Sequence, residues 1–267
     1  FFDQDINIGN GRYGYVPSVS CVVRKFSNNY FCNNGGYGIN ISRYFISASV
    51  SASVLLKNCY IGITPDGKPM PNGLGGVLWN CNYGITFDDC HIGYNVGSGI
   101  IVNKPMCPLN VYGGAIIHNM GNGIDLFSDD SNKLTLKDVL FDSNEKSAVY
   151  MDLALRMNKY YESLLSGNKF LHTNKAYPAF KTTNPYPVPE FTSCKMTEKT
   201  IVIEGKIDTA AKAKIELFYT SQGEQTAEML VDSFYTNADG TFSHTLDRSM
   251  FVGKSIIGFT ATATYGL

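Results

Sequence analysis

Apolar and polar positions in this chain fall into columns that repeat every 23 to 25 residues. An asparagine stands five residues before a small or aliphatic position at Asn34/Ile39, Asn72/Val77, Asn95/Ile100, Asn119/Ile124, Asn144/Val149 and Asn174/Ala179, with a looser copy at Asn10/Tyr15. Successive second members lie 24, 38, 23, 24, 25 and 30 residues apart, so two copies carry insertions. Three residues before the asparagine comes an apolar position: Phe31, Ile92, Ile116, Phe141 or Leu171, with Ile61 in that role once eight extra residues are allowed. Three residues earlier again stand Asn28, Asn58, Asp89, Gly113, Asp138 and Asn168. A period of this length marks a solenoid.

Each turn of a solenoid contacts only its neighbours, so equivalent side chains stack, and a polar one can be buried if it bonds its copies above and below. Asparagine suits such a column because its amide carries both donors and an acceptor. It also tolerates the left-handed backbone of a tight corner. Between the columns run short segments of β character, Ser53–Leu56, Gly99–Val102, Asn110–Tyr112 and Lys133–Val139, punctuated by Gly, Asn and Asp. Only Met151–Leu165, in the 30-residue interval between Val149 and Ala179, has helical character. The pattern predicts a parallel β-helix of about seven turns over residues 1–185, with a structural ladder of Asn34, Asn72, Asn95, Asn119, Asn144 and Asn174.

The period fails near Ala176, and three prolines fall within Pro185–Pro189, which reads as a stiff extended linker. Beyond it, over residues 186–267, the pattern predicts an antiparallel meander: Thr200–Ile207, Lys214–Tyr219, Met229–Tyr235, Thr241–Leu246 and Ser255–Tyr265, with turns at Ser221–Glu224 and Asn237–Gly240. Alternation is plain in Ala213–Tyr219 and Phe259–Tyr265. We read this half as a small β-sandwich.

Two resemblances bear on these readings. Asn58-Cys-Tyr-Ile-Gly-Ile-Thr-Pro-Asp-Gly67 followed by Pro71-Asn-Gly-Leu-Gly-Gly-Val-Leu-Trp79 resembles the repeat turn of right-handed parallel β-helix proteins in large secreted and cell-surface polypeptides. The likeness covers roughly residues 1–185 and implies an all-β, pectin-lyase-like fold. That fold hosts pectin-active enzymes, phage tailspikes, adhesins and structural shafts, so it does not by itself assign an activity. The strand series around Gly205, Ile215-Glu-Leu-Phe218, Asp239-Gly-Thr-Phe242 and Ala261-Thr262 is similar to immunoglobulin-like modules that follow such β-helices, without the Cys…Trp…Cys signature of antibody domains.

Charge narrows the function further. With 22 basic and 23 acidic residues the net charge is −1, which gives no electrostatic case for nucleic acid. No apolar run approaches the ~20 residues of a membrane helix. The chain opens in β pattern at Phe2–Gly9, so we expect a segment of something longer, its first turn covered by an adjoining domain or by another copy in a head-to-tail contact. An extracellular or cell-surface setting is expected.

Candidate chemistry is sparse. The adjacent carboxylates Asp88-Asp89 and Asp129-Asp130 resemble acid–base pairs only in composition, since neighbours in a strand point to opposite faces. The Asn-Thr-Asp, Gly-His-Gly and Arg-x-Lys motifs of the pectin hydrolases do not occur. His91, His118, His172 and His244 fall in different columns, so no zinc set is expected. The loop Asp66–Gly73 offers calcium a single carboxylate. We therefore expect no catalytic residues, metal or cofactor. Tyr13, Tyr15, Tyr30, Tyr37, Tyr44, Tyr60, Tyr83, Tyr94 and Trp79 could form a sugar-stacking surface, making glycans a possible partner. Of seven cysteines, Cys59 and Cys90 share a column and are expected to be buried neighbours, as a disulfide or as a thiol stack. Asn40-Ile-Ser42 is a sequon, which makes Asn40 a possible N-glycosylation site. The leading reading is a structural or adhesive β-helical segment without catalysis, alone or within a fibre. The alternatives are a polysaccharide lyase or glycoside hydrolase of the same fold, or a non-catalytic glycan-binding module.

Overall fold

A computed structural model of the chain describes residues 11–16, 25–41, 53–81, 84–103, 108–128, 134–153, 163–174, 176–177, 179–182, 187–208, 212–220, 227, 229–254 and 258–264. The chain divides into two compact units, Phe1–Asn184 and Pro185–Leu267.

The first unit is a parallel β-helix with three six-stranded sheets, each turn giving one strand to each sheet. The first sheet holds Lys25–Ser27, Ser53–Lys57, Gly84–Asp88, Leu109–Tyr112, Leu134–Lys137 and Ser163–Ser166. The second holds Tyr30–Phe31, Tyr60–Ile61, His91–Gly93, Ala115–Ile117, Leu140–Asp142 and Lys169–Leu171. Tyr37–Ile41, Gly75–Trp79, Ile100–Val102, Ile124–Ser128, Val149–Leu153 and Phe180–Thr182 make the third. Tyr15 bridges Ile39 in parallel and so belongs to a further turn before these six.

The core is built of stacked columns. Phe26, Leu56, Phe87, Val111, Leu136 and Leu165 are successive partners in the first sheet, and all are buried. Phe31, Ile61, Ile92, Ile116, Phe141 and Phe170 line the second. Ile39, Val77, Ile100, Ile124, Val149 and Phe180 line the third. Each apolar face packs inward on the other two sheets, so among the described residues the interior is closed by strands alone.

Corners between the first and second sheets each hold a left-handed residue, Asn28, Asn58, Asp89, Gly113, Asp138 and Gly167, with φ between 50° and 65°, and the Gly113 corner adds Gly114 at 71°. The last member corrects the sequence register. Gly167, not Asn168, turns the corner, and Phe170, not Leu171, enters the apolar column, where Leu171 pairs with Asp142 instead. In the same turn Phe180 replaces Ala179 as the partner of Val149. A residue free to adopt positive φ fixes the corner more firmly than the asparagine spacing does.

The helical reading of Met151–Leu165 is also corrected at both ends. Met151–Leu153 continue the strand beside Ile124–Ser128, and Ser163–Leu165 join the first sheet beside Leu134–Leu136. Non-local ladder hydrogen bonds to the preceding turn override the local pattern there.

The second unit packs two three-stranded antiparallel sheets on one core. Thr200–Lys206 is central to the first, between Glu190–Met196 and Thr241–Asp247. Lys214–Thr220 is central to the other, between Met229–Tyr235 and Gly258–Thr264. Ile201, Ile203, Phe242 and Leu246 meet Ile215 and Leu217 across the interior, closed at one end by Phe251. The turn at Asn237–Gly240 forms as the sequence predicts, with Gly240 at φ 79° and Asp239 bonded to Thr241. Ser221–Glu224 lies outside the described residues.

Candidate functional site

The asparagine column forms a chain of amide hydrogen bonds between turns. Asn34 Nδ2 donates to Asn72 Oδ1 at 2.7 Å, Asn72 to Asn95 at 2.8 Å, Asn95 to Asn119 at 2.9 Å and Asn119 to Asn144 at 3.0 Å. The second amide hydrogen reaches the backbone carbonyl of the apolar column one turn back: Phe31 from Asn72, Ile61 from Asn95, Ile92 from Asn119 and Ile116 from Asn144. Each acceptor oxygen from Asn72 to Asn144 also takes a backbone N–H of the preceding turn. The amides are therefore both buried and satisfied, which removes the penalty that buried polar groups otherwise impose. Asn174 is a correction. It sits outside this column, with Nδ2 on the Glu145 carbonyl and Oδ1 taking the Ala176 N–H, because the last turn starts one residue early and His172 occupies the left-handed position that elsewhere precedes the ladder residue.

Cys59 and Cys90 follow the left-handed corners of adjacent turns and are buried free thiols. Cys59 Sγ donates to the Lys57 carbonyl and Cys90 Sγ to the Leu56 carbonyl, at 3.4 and 3.3 Å. The hydrogen bond with Cys59, and then burial, hold the Cys90 thiol far above the ordinary thiol range. The column is filled by thiols acting as small buried groups. Asn40 lies in the Tyr37–Ile41 strand at 6% exposure, where a glycan on its amide has no room, so the strand placement overrides the sequon.

The other candidates are already engaged. Asp88 points outward to Lys57 at 2.7 Å, while Asp89 turns a corner, so the pair does not converge. Asp129, Asp130, Tyr44 and Tyr83 lie outside the described residues. Asp66 is held by Lys68 at 2.6 Å and by Thr64, bonds that lower its carboxyl pKa, within a short hairpin closed by an Ile63–Pro69 bridge. His91 stacks flat on Tyr60, itself stacked on Tyr30, while His118 stacks on Tyr94. His172 bonds Asp142, and His244 bonds Asp232 in the second unit. Among the described residues no three His, Cys, Asp or Glu side chains come together as a metal set. Trp79 is fully buried and so cannot be part of a stacking platform; Tyr15 packs edge-on against Phe26, while Tyr13 stacks on Tyr37.

The outer face of the third sheet carries a cluster that the sequence reading passed over. Asp125 pairs with Ile101 on one side and Tyr150 on the other, its side chain pointing away from the core, yet only 8% is exposed. Asn122 Nδ2 donates to Asp125 Oδ1 at 2.6 Å and Ser98 adds a second bond to the carboxylate. Burial raises the Asp125 carboxyl above its usual range, against the opposing pull of those bonds and of Lys146. Ser98, Asn122 and Ser147 form one column beside it, tied by Asn122 N–H to Ser98 Oγ and Ser147 N–H to Asn122 Oδ1. Ser147 Oγ is buried and makes no hydrogen bond. Aromatic rings extend the patch: Phe127 lies 6.1 Å from Tyr150, and Lys181 Nζ sits 6.0 Å from the Tyr150 ring and 5.7 Å from Tyr177. Burial, with Asp152 and Asp125 nearby, raises the Tyr150 phenol, which stays protonated and can donate. An acidic residue in a column otherwise filled by Asn40, Leu78, Ile101, Tyr150 and Lys181 was the available signal.

The face thus joins a mostly buried carboxylate and its amide and hydroxyl partners to exposed or half-buried aromatic rings. The family described as right handed beta helix region matches residues 6–180 of the chain. No curated protein matches it.

Proposed function

The chain belongs to the right-handed β-helix family, and from that premise we propose that it is a rigid, non-catalytic segment of an extracellular or cell-surface protein, structural or adhesive in role. The observation that carries this reading is the unbroken amide chain from Asn34 to Asn144, which ties five successive turns into one body through buried side chains rather than through loops. We read the second unit as an immunoglobulin-like module on the strength of its two antiparallel sheets and shared core. No helix among the described residues is long and apolar enough to cross a membrane.

A second reading, glycan binding without cleavage, is favoured by the Asp125 patch, where the Phe127 and Tyr150 rings lie on the same outer face as the carboxylate. Incubation of the chain with acidic and neutral polysaccharides, followed by assay for new reducing ends or unsaturated products, tests the non-catalytic claim. No product is expected. Sustained product formation would return the chain to the lyase or hydrolase class. A glycan array run beside it is expected to give binding that Tyr150→Ala and Asp125→Ala each abolish.

A further inference from the structure

The strand Glu190–Met196 stands at the edge of its sheet, paired among the described residues only with Thr200–Lys206. All of it but Ser193 is exposed. An edge strand presents a row of backbone donors and acceptors to any strand that can lie beside it. Phe191, Cys194 and Met196 are on the core side, because they pair with Gly205, Ile203 and Ile201, of which the two isoleucines point into the sandwich. The irregularity between Phe191 and Ser193 is what brings Phe191 and Cys194, three residues apart, to the same face. Phe191 remains 38% and Met196 50% exposed, so the core has an apolar margin that the second sheet does not cover.

The strand is complementary to itself. Lay a second copy antiparallel beside it with the two-fold axis between Thr192 and Ser193. Glu190 then faces Lys195 of the other copy, and Phe191 faces Cys194, each pair occurring twice. Both members of each pair project from the same face: Glu190 and Lys195 pair with Lys206 and Val202, four residues apart, and Phe191 and Cys194 with Gly205 and Ile203. Opposite charges and apolar groups directly across an antiparallel pair stabilise it. We propose that Glu190–Met196 is a homodimerisation edge, at which two copies of this chain join their sandwich sheets into one continuous sheet by isologous antiparallel pairing. Such a contact closes on itself and makes dimers rather than filaments.

Sedimentation equilibrium of the full chain over a wide concentration range tests this. The wild type is expected to show a monomer–dimer equilibrium. Lys195→Glu and Glu190→Lys, both at exposed positions, are each expected to weaken it about tenfold, since each turns two attractive cross-strand pairs into repulsive ones. The doubly reversed chain, with the charges exchanged, is expected to recover the wild-type constant. Register has its own readout. Phe191→Cys places a thiol opposite Cys194 of the other copy and is expected to give a disulfide-linked dimer under mild oxidation. The wild type is expected to give none through Cys194, because two Cys194 residues three positions out of register lie about 10 Å apart, beyond disulfide reach. A monomer at every concentration, a dimer indifferent to either single reversal, or failure of the double reversal to recover would each overturn the proposal.

Discussion

Asn119 sits inside the ladder, and its side chain and backbone N–H serve five hydrogen bonds: two from its amide nitrogen, two into its side-chain oxygen and one from the backbone N–H. Asn119→Leu leaves the Asn95 backbone N–H and one Asn95 amide hydrogen without their acceptor and takes one donor each from the Ile92 carbonyl and the Asn144 oxygen, the latter keeping the backbone N–H of residue 119, at about 1–3 kcal/mol for each group left unpaired. The melting temperature should fall steeply. Asn174→Leu, at a position outside the column, should cost under about 1 kcal/mol, the value of an exposed local hydrogen bond. Equal losses at the two sites would contradict the corrected register. Asp125 makes the opposite prediction. Its carboxyl is held above the usual range by burial, so the unfolded chain ionises first as pH rises, and stability falls through the carboxylate range until the folded group has ionised as well. Asp125→Asn preserves the shape, and its side-chain oxygen can still take the Asn122 bond. It should raise the melting temperature at neutral pH, with the gain vanishing below about pH 3, where the unfolded carboxyl is itself protonated. A gain that persists in acid would mean that packing, not charge burial, distinguishes the two side chains.

At the scale of elements, burial and exposure of the cysteines separate sharply. Cys59 and Cys90 are expected to resist alkylation until the β-helix unfolds, while Cys194, exposed on its edge strand, reacts at once at concentrations where the chain is monomeric. Peptide mass mapping after brief alkylation reads both, and early modification of Cys59 or Cys90 would contradict the packed column. The same contrast explains what the sequence disclosed. Columns such as Ile92, Ile116 and Phe141 were legible because each turn repeats its burial, and their spacing located the second and third sheets within a residue or two. The Glu190–Met196 strand stands outside the meander that the sequence predicts from Thr200 onward, because a strand exposed on both faces has no alternation to read. In the last turn, Asn168 and Asn174 drew the register one residue late; the corner glycine at 167 was the better guide. Asp125 was missed for a related reason: in one linear sequence it is a lone acid after Ile124, and only the stacking of turns brings Ser98 and Asn122 to it from positions 27 and 3 residues earlier.

At the scale of the whole molecule, the right-handed β-helix family covers residues 6–180, and the chain forms two compact units, Phe1–Asn184 and Pro185–Leu267. A solenoid unravels from its ends unless its turns are coupled, and here buried amides do the coupling at one corner while parallel ladders do it in the sheets. The central claim is that the ladder makes the middle turns a single stiff body. Site-resolved hydrogen–deuterium exchange on the full chain tests it most directly, through the backbone N–H groups of Asn72, Asn95 and Asn119, each bonded to the next asparagine's oxygen. The account predicts that peptides carrying Asn95 and Asn119 exchange slowest in the β-helix and together, and that Asn119→Leu accelerates both. Exchange at those positions as fast as in the exposed Thr64–Lys68 hairpin, or unchanged by the substitution, would contradict it.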